Sequence, residues 1–285
     1  MEKKIIFLDV DGTLTLPSGD VSPRVEKAIQ LVRKQGHLVF LCTGRSYAGA
    51  RPLFSIGFDG LICSAGGYIE VQGQKIFESS LDEEDIQLAR DVFDRNHVLY
   101  NLETNYMTFQ DEKMNYEFVR HRVKNGENFN SELQRLLNEQ KEHFNIHPLK
   151  EYDEHPIPVQ KICFVTEDEK NLEEPKKVLQ DKFHFIIHEI FSKDVINGEI
   201  IIKGTDKGTA VEKVCEYLDM PLSQTIGFGD SMNDYEMIKT CEIGMAMGNA
   251  SQELKDHADV ICESVQNDGI YHELNRLGLC PEIKQ

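Results

Sequence analysis

The chain has no apolar stretch near the length that crosses a bilayer, no excess of basic residues, no CxxC pair and no internal repeat. The first absence excludes a membrane-spanning helix, which needs about 20 apolar residues in a row. The second excludes a nucleic-acid partner: 31 Lys and Arg stand against 49 Asp and Glu, a net charge of −18, whereas phosphate backbones call for a dense basic face. Seven cysteines, at 42, 63, 163, 215, 241, 262 and 280, are odd in number and scattered, several of them in apolar segments. That excludes a disulfide framework and predicts a reduced, cytoplasmic protein with no membrane partner. The chain enters a strand at once, with no signal-peptide core ahead of it. The same negative charge repels an anionic substrate at long range, so a phosphate site must rely on a metal ion and a few local cations.

What is present begins with Asp9-Val10-Asp11-Gly12-Thr13, directly after the apolar run Ile5–Leu8. Such a run is the pattern of a strand buried on both faces of a parallel sheet. Two carboxylates and a glycine at its end would stand where α/β sheets bind ligands. The pair alone is weak evidence, because Asp and Gly are ordinary turn residues.

Residues 1–80 alternate strand and helix. Ser22-Pro23 is a helix start, Val25, Ala28, Ile29 and Val32 form an apolar stripe, and Gly36 closes the helix. Leu38–Cys42 is a second buried strand, ending at Thr43-Gly44-Arg45 and a further helix. Leu61–Cys63 is a third, and Tyr68–Phe77 is a hairpin about Gln72-Gly73-Gln74. The order βαβ predicts a parallel sheet with right-handed crossovers. Between 82 and 190 the texture changes. Acidic helices (82–96, 130–144, 167–181) alternate with strands (98–102, 106–110, 159–166, 183–188), and 147–158 is a loop. Core-like rhythm returns at Glu199–Ile202, followed by a helix from Lys207 to Leu218. Thr225–Phe228 is again a buried strand, ending in Gly229-Asp230-Ser231-Met232-Asn233-Asp234, and short strands at 243–246 and 259–262 each precede a helix. The expected fold is α/β: a Rossmann-like parallel-sheet core, 1–81 and 191–285, with an α+β cap inserted at 82–190.

Asp9/Asp11, Thr43-Gly44 and Asp230/Asn233/Asp234 all end strands of one kind, and parallel strands share a C-terminal edge, so the clusters can converge. Lys207 can bring a cation to that edge. Oxygen-only acidic ligands favour a hard cation such as Mg²⁺. Thr43 and Gly44 at a helix start offer a hydroxyl and N–H groups to an anion. These are the parts phosphoryl transfer needs.

The set DVDGT, TGR, a lysine in DKG, and GDSMND resembles the four motifs of the haloacid dehalogenase superfamily of phosphohydrolases. Order and spacing are similar to its Cof-type branch, subclass IIB, whose large cap lies between the second and third motifs. The resemblance implies that Asp9 is a nucleophile forming an aspartyl-phosphate, and that Asp11 protonates the leaving oxygen and then activates water. It implies Mg²⁺ held by the Asp9 carboxylate, the Asp11 carbonyl and Asp230, with Asp234 tuning the metal from behind its ligands. Thr43, Gly44 and Lys207 would bind the phosphoryl oxygens, with Asn233 nearby. The implied function is a Mg²⁺-dependent phosphatase for a small phosphorylated metabolite, a sugar phosphate or a phosphorylated cofactor, selected by the cap. The alternative is a phosphosugar mutase built on the same phospho-aspartate. A signalling receiver also uses Asp, Mg²⁺, Thr and Lys, but it is a single small domain with no cap.

Both Lys203 and Lys207 precede a glycine, and Lys207 is preferred because a helix follows it. Where the family often has Asn-Gly, this chain has Ser64-Ala65-Gly66-Gly67, a permissive turn that bears on one polar contact near the cap hinge. A zinc role for His143/His147 or His184/His188 is set aside. A four-residue step along a strand spans about 13 Å, too far for one metal, and His143 and His147 straddle a helix end. His121 with Arg120 and Arg122 is taken as a solvated face. Cys42 is taken as a small core residue. Arg45 stands open between a cation at the site edge and the partner of an acidic neighbour.

Overall fold

The computed structural model describes residues 2–110, 145–187 and 196–283. The chain divides into two compact units, one of Met1–Arg45, Ala50–Glu78 and Asp206–Gln285, the other of Ser46–Gly49 and Ser79–Thr205.

In the first unit the strand Ile5–Leu8 is flanked on both sides by parallel partners. Ile5 is opposite Leu38 on one neighbour and Thr225 on the other. The eight-stranded sheet runs, in order, Val260–Ile261, Ile243–Ala246, Thr225–Gly229, Ile5–Leu8, Leu38–Cys42, Gly60–Cys63, Tyr68–Val71 and Gln74–Glu78. Its first six strands are parallel, and the last two form an antiparallel hairpin at one edge. Central strands with helices on both faces must be apolar throughout, and Ile5–Leu8 and Leu38–Cys42 are buried at every position. Phe7 and Phe40 lie with ring centroids 5.4 Å apart within a cluster that also holds Val211, Val214 and Met237. Burying one such side chain contributes roughly 1.5–3 kcal/mol.

The helix Pro23–Lys34 starts as its sequence predicts: the Ser22 side chain accepts from Arg24 N–H, and proline takes the first turn, where its missing donor costs nothing. The helix expected after Thr43-Gly44-Arg45 is present and short. It begins at Tyr47, makes one turn to Ala50 and passes into a 3₁₀ segment, Arg51–Ile56. Thr43 and Gly44 therefore lie in the strand-to-helix bend, not at a helix N-terminus. Pro52 explains part of the change, since proline disfavours helical backbone in the residue before it.

The second unit holds a six-stranded sheet in the order Phe183–Ile187, Ile196–Ile202, Lys161–Thr166, Leu99–Glu103, Thr108–Gln110 and Ile146–Pro148. All pairs are antiparallel except the last. The apolar face carries Tyr100, Leu102, Ile162, Phe164 and Ile200 in one cluster with Ala89 and Phe93 of the helix Glu83–Arg95 and Leu179 of Glu173–Leu179. Two expectations need correction. Glu199–Ile202, read as a return to the core, is part of a strand paired with Lys161–Thr166 and Phe183–Ile187, so it belongs to this sheet. Residues 147–158 are not a plain loop, because Ile146–Pro148 is a strand and Leu149–Glu154 a helix anchored by buried Tyr152. The helix expected at 130–144, and His121, Arg120, Arg122, His143 and His188, lie outside the described residues.

No helix among the described residues is long and apolar enough to cross a membrane. All seven cysteines are free thiols and buried.

Candidate active site

Asp9 is the first residue past its strand, and its N–H donates to Phe228 O at 3.0 Å, which prolongs the pairing with the Thr225–Gly229 strand. Asp230 follows that neighbouring strand, so the sheet itself sets the two carboxylates side by side. Gly12 makes the close approach possible. Its φ is +82°, and a Cβ there would lie 2.8 Å from the Asp230 carboxyl carbon. Asn249 Nδ2 donates to Gly12 O at 2.7 Å and holds the turn.

Lys207 begins the helix Lys207–Leu218. Asp206 caps that helix, with a reciprocal bond from its N–H to Thr209 Oγ1. The Lys207 side chain has no exposed surface, and its Nζ donates to Asp9 Oδ1 at 2.7 Å, Asp234 Oδ1 at 2.5 Å and Asn233 Oδ1 at 3.3 Å. Asp234 Oδ2 accepts from the N–H groups of Asp230 and Ser231, at 2.9 and 3.1 Å. Ser231 Oγ donates to Asn233 Oδ1 at 2.8 Å. Lys203, the other candidate, is exposed in a turn of the second unit.

The charges do not balance. Burial raises the Asp9 carboxyl well above the ordinary carboxylate range, the Asp234 charge adds to this, and Lys207 opposes it. Asp230 is raised in the same way, by burial first and then by Asp9 and Asp234. Burial alone would lower the Lys207 ammonium, but the charges of Asp234 and Asp9 outweigh it and hold it well above its usual value. Asp230 Oδ1 is buried without a hydrogen-bond partner. Oxygens of Asp9, Asp230 and Asp234 lie within 4.8 Å of one another. An all-oxygen set with one orphaned acceptor and surplus negative charge fits a divalent cation. Both Asp234 oxygens already accept hydrogen bonds, which leaves Asp9 and Asp230 as the better-placed ligands.

Asp11 is outside this cluster. Its carboxylate receives a two-pronged pair of hydrogen bonds from Arg45, Nε to Oδ2 at 2.8 Å and Nη2 to Oδ1 at 2.7 Å. Of the two readings left open for Arg45, the structure takes the acidic partner. Parallel N–H···O bonds of this kind fix direction as well as charge. Thr43 is buried, its Oγ1 accepts from Arg45 N–H at 3.1 Å, and Gly44 is buried beside it. Burial pushes the Cys42 thiol far above its ordinary value, which suits an inert core residue.

Residues 64–66 do more than turn the chain. Ser64, Ala65 and Gly66 have φ of +51°, +53° and +103° in succession. Ser64 N–H donates to Arg45 O at 2.7 Å and Ala65 N–H to Thr43 O at 3.0 Å, so this left-handed turn buttresses the Thr43–Arg45 bend. A Cβ on Gly66 would lie 2.8 Å from the Asp206 carbonyl carbon, closer still to its oxygen. Gly66→Ala should therefore lower stability by roughly 1–3 kcal/mol, read as a shift in the urea midpoint, and should disturb the cap of the Lys207 helix. An unchanged midpoint would contradict the close packing of these two segments. Two non-glycine residues at positive φ leave little trace in sequence, so the bracing role of this turn emerges only in the fold.

Carboxylates at the C-terminal edge of a parallel α/β sheet, bridged by a buried ammonium and one cation short, define a phosphoryl-transfer type of core. Residues 6–274 match the haloacid dehalogenase-like hydrolase family. The chain belongs to that family, as a Cof-type member and a phosphatase. YkrA of Bacillus subtilis (strain 168) is 27% identical over 282 residues, 98% of this chain and 99% of the relative. The HMP-PP phosphatase of Serratia proteamaculans (strain 568) is 25% identical over 259 residues, 88% and 86% of the two chains. Among solved structures, the subclass IIB sugar phosphatase BT4131 superposes with a TM-score of 0.76 at 20% identity, covering 97% of this chain and all of that one.

Proposed function

We propose that this phosphatase is Mg²⁺-dependent and hydrolyses a small phosphorylated metabolite, a sugar phosphate or a phosphorylated cofactor, through an aspartyl-phosphate on Asp9. The observation that carries the reading is the Lys207 ammonium tying Asp9 to Asp234 beside the unpartnered Asp230 oxygen. In the first step the Asp9 carboxylate attacks phosphorus, the bond to the ester oxygen breaks, and Asp11 gives that oxygen its proton. In the second, water attacks the phosphorus of the phospho-aspartate, Asp11 takes its proton, and the acyl phosphate bond breaks to free inorganic phosphate. Arg45 orients Asp11 between these roles. Thr43, Gly44, Lys207 and Asn233 bind the phosphoryl oxygens, and the 3.3 Å Lys207–Asn233 contact is the weakest of the lysine's three and the easiest to exchange. Asp9, Asp230 and the Asp11 carbonyl would hold Mg²⁺, which, when bound, offsets the negative charge gathered around phosphorus. Asp234 positions Asp230 and Lys207.

We assign substrate selection to the unit holding Ser79–Thr205. The relatives named above for HMP-PP and for sugar phosphate support a small organic phosphate. Buried free thiols support a reducing compartment, the cytoplasm.

Metal removal tests the reading. Phosphate release from p-nitrophenyl phosphate should vanish in EDTA and return with Mg²⁺, and Asp230→Asn should raise the Mg²⁺ concentration needed for half-maximal rate at least tenfold. Full activity in EDTA, or an Asp230→Asn enzyme with unaltered Mg²⁺ demand, would overturn the metal assignment.

A further inference from the structure

A glycine at positive φ is the loosest joint in a chain, because without a Cβ it moves among conformations that other residues seldom reach. Gly12 is such a joint, one residue past Asp11, with φ of +82°. The glycine is required, since a Cβ there would overlap the Asp230 carboxylate. The turn's own main-chain bonds pass over it. The N–H groups of Leu14 and Thr15 donate to Val10 O at 3.0 and 2.8 Å, which leaves the Gly12 carbonyl to a partner from elsewhere in the chain.

That partner is Asn249, just beyond the strand Ile243–Ala246. Its Nδ2 donates to Gly12 O at 2.7 Å, and its Oδ1 accepts from Val265 N–H at 2.9 Å. A carbonyl only accepts and an N–H only donates, so the two contacts together fix which way the amide is turned. Asn249 is exposed, yet both ends of its side chain are engaged. The backbone around it is fastened to the loop that carries Asp230. Met247 N–H donates to Gly229 O at 2.9 Å, and Ser251 N–H donates to Asp230 O at 3.0 Å. Gly248 is tied on its other side, its N–H donating to Glu263 O at 3.2 Å and its carbonyl accepting from Lys255 Nζ at 2.8 Å. Residues 247–251 thus hold the Asp230 loop by two main-chain bonds and the Asp11–Gly12 turn by one side chain. All of these residues lie in one compact unit.

We propose that Asn249 is a positioning residue for the divalent-cation seat, fixing the Asp11–Gly12 turn against the loop of Asp230. The proposal rests on the Mg²⁺ reading and adds to it a residue that is not itself a ligand. With Asn249 in place the turn is ordered before the cation arrives. Without it Gly12 gains freedom that the cation must remove on binding, and that cost weakens the binding.

Calorimetric titration of metal-free protein with Mg²⁺ alone tests this without turnover. Asn249→Ala should weaken Mg²⁺ binding roughly three- to tenfold, the scale of one hydrogen bond's net contribution. Asn249→Ser, whose hydroxyl is too short to reach both Gly12 O and Val265 N–H, should do the same. In hydrolysis of p-nitrophenyl phosphate the Mg²⁺ concentration for half-maximal rate should rise in parallel. Excess Mg²⁺ should then recover most of kcat, with KM little changed. Ile29→Val, a buried change in the helix Pro23–Lys34, is the control for lost stability. It should lower the melting temperature and leave Mg²⁺ binding at the wild-type value. Wild-type Mg²⁺ affinity in both Asn249 variants overturns the proposal, and so does an equal loss in Ile29→Val. A wild-type protein that binds no Mg²⁺ would instead overturn the metal reading on which the proposal rests.

Discussion

Asp9→Asn is expected to abolish phosphate release while leaving the fold at least as stable as the wild type in metal-free buffer. The two halves have different causes. Asparagine lacks the anionic oxygen that must attack phosphorus, and loss of a nucleophile costs on the order of 10⁴-fold or more in kcat. Its amide oxygen can still accept from Lys207, so the bond now made by Asp9 Oδ1 at 2.7 Å is retained. Meanwhile a negative charge leaves a buried group in which burial and Asp234 already push the Asp9 carboxyl upward. The substitution takes one charge out of an acidic cluster that burial already disfavours. Rates on p-nitrophenyl phosphate and melting temperatures in EDTA check both halves. Turnover that persists in Asp9→Asn, with contamination excluded by a second purification, would end the nucleophile assignment. A melting temperature several degrees lower would mean that the Lys207–Asp9 ion pair outweighs the repulsion.

Lys207→Met is expected to cost stability as well as activity. Methionine keeps most of the volume but removes a fully buried ammonium that bonds three side chains. Asp9 and Asp234 would then face each other without compensation, and breaking a buried ion pair from one side typically costs about 3–5 kcal/mol. Asp234 is committed elsewhere through its second oxygen, which holds the Asp230 and Ser231 N–H groups. It cannot easily swing away, so the loss should spread to the Asp230 loop. Denaturant midpoints would show it, and Asp9→Asn on the Lys207→Met background should recover part of it. Double-mutant coupling near zero would show that lysine and aspartate act independently and that the charge argument is wrong. Both experiments address the same imbalance: removing an acid relieves it, and removing the base worsens it.

Much of the site was legible because its residues are tied to strand ends. Ile5–Leu8, Leu38–Cys42 and Thr225–Phe228 are apolar at each position, and a run of that kind belongs to the middle of a parallel sheet. Their ends must share an edge, which sets Asp9, Thr43 and Asp230 on one side of the sheet. Lys207 was preferred to Lys203 on the strength of a helix signal that also proved to be a capping box. What was not legible involves partners far apart in the chain. The apolar run at 196–202 says that a strand is buried, but nothing in it says against which neighbours. Its pairing with 161–166 and 183–187 depends on the register of those strands. The helix after Arg45 makes one turn and gives way to a 3₁₀ segment containing Pro52, a change that depends on how the segment packs.

The sequence by itself determined the alternating strand order, the identity of the groups at the strand ends and, through the resemblance of four motifs, the family. These follow from local rules: apolar runs bury, and motif residues carry their chemistry with them. Only the tertiary structure decided that Arg45 grips Asp11 with both prongs of its guanidinium, that Ser64–Gly66 turn left-handed to brace the Thr43–Arg45 bend, and that Asn101, Cys163, Glu199 and Lys161 meet on one buried sheet face. Each of these joins residues brought together by register or by close packing between distant segments. The energy that selects such contacts comes from excluding water around groups that are neighbours only once the chain has folded, and no local pattern records it.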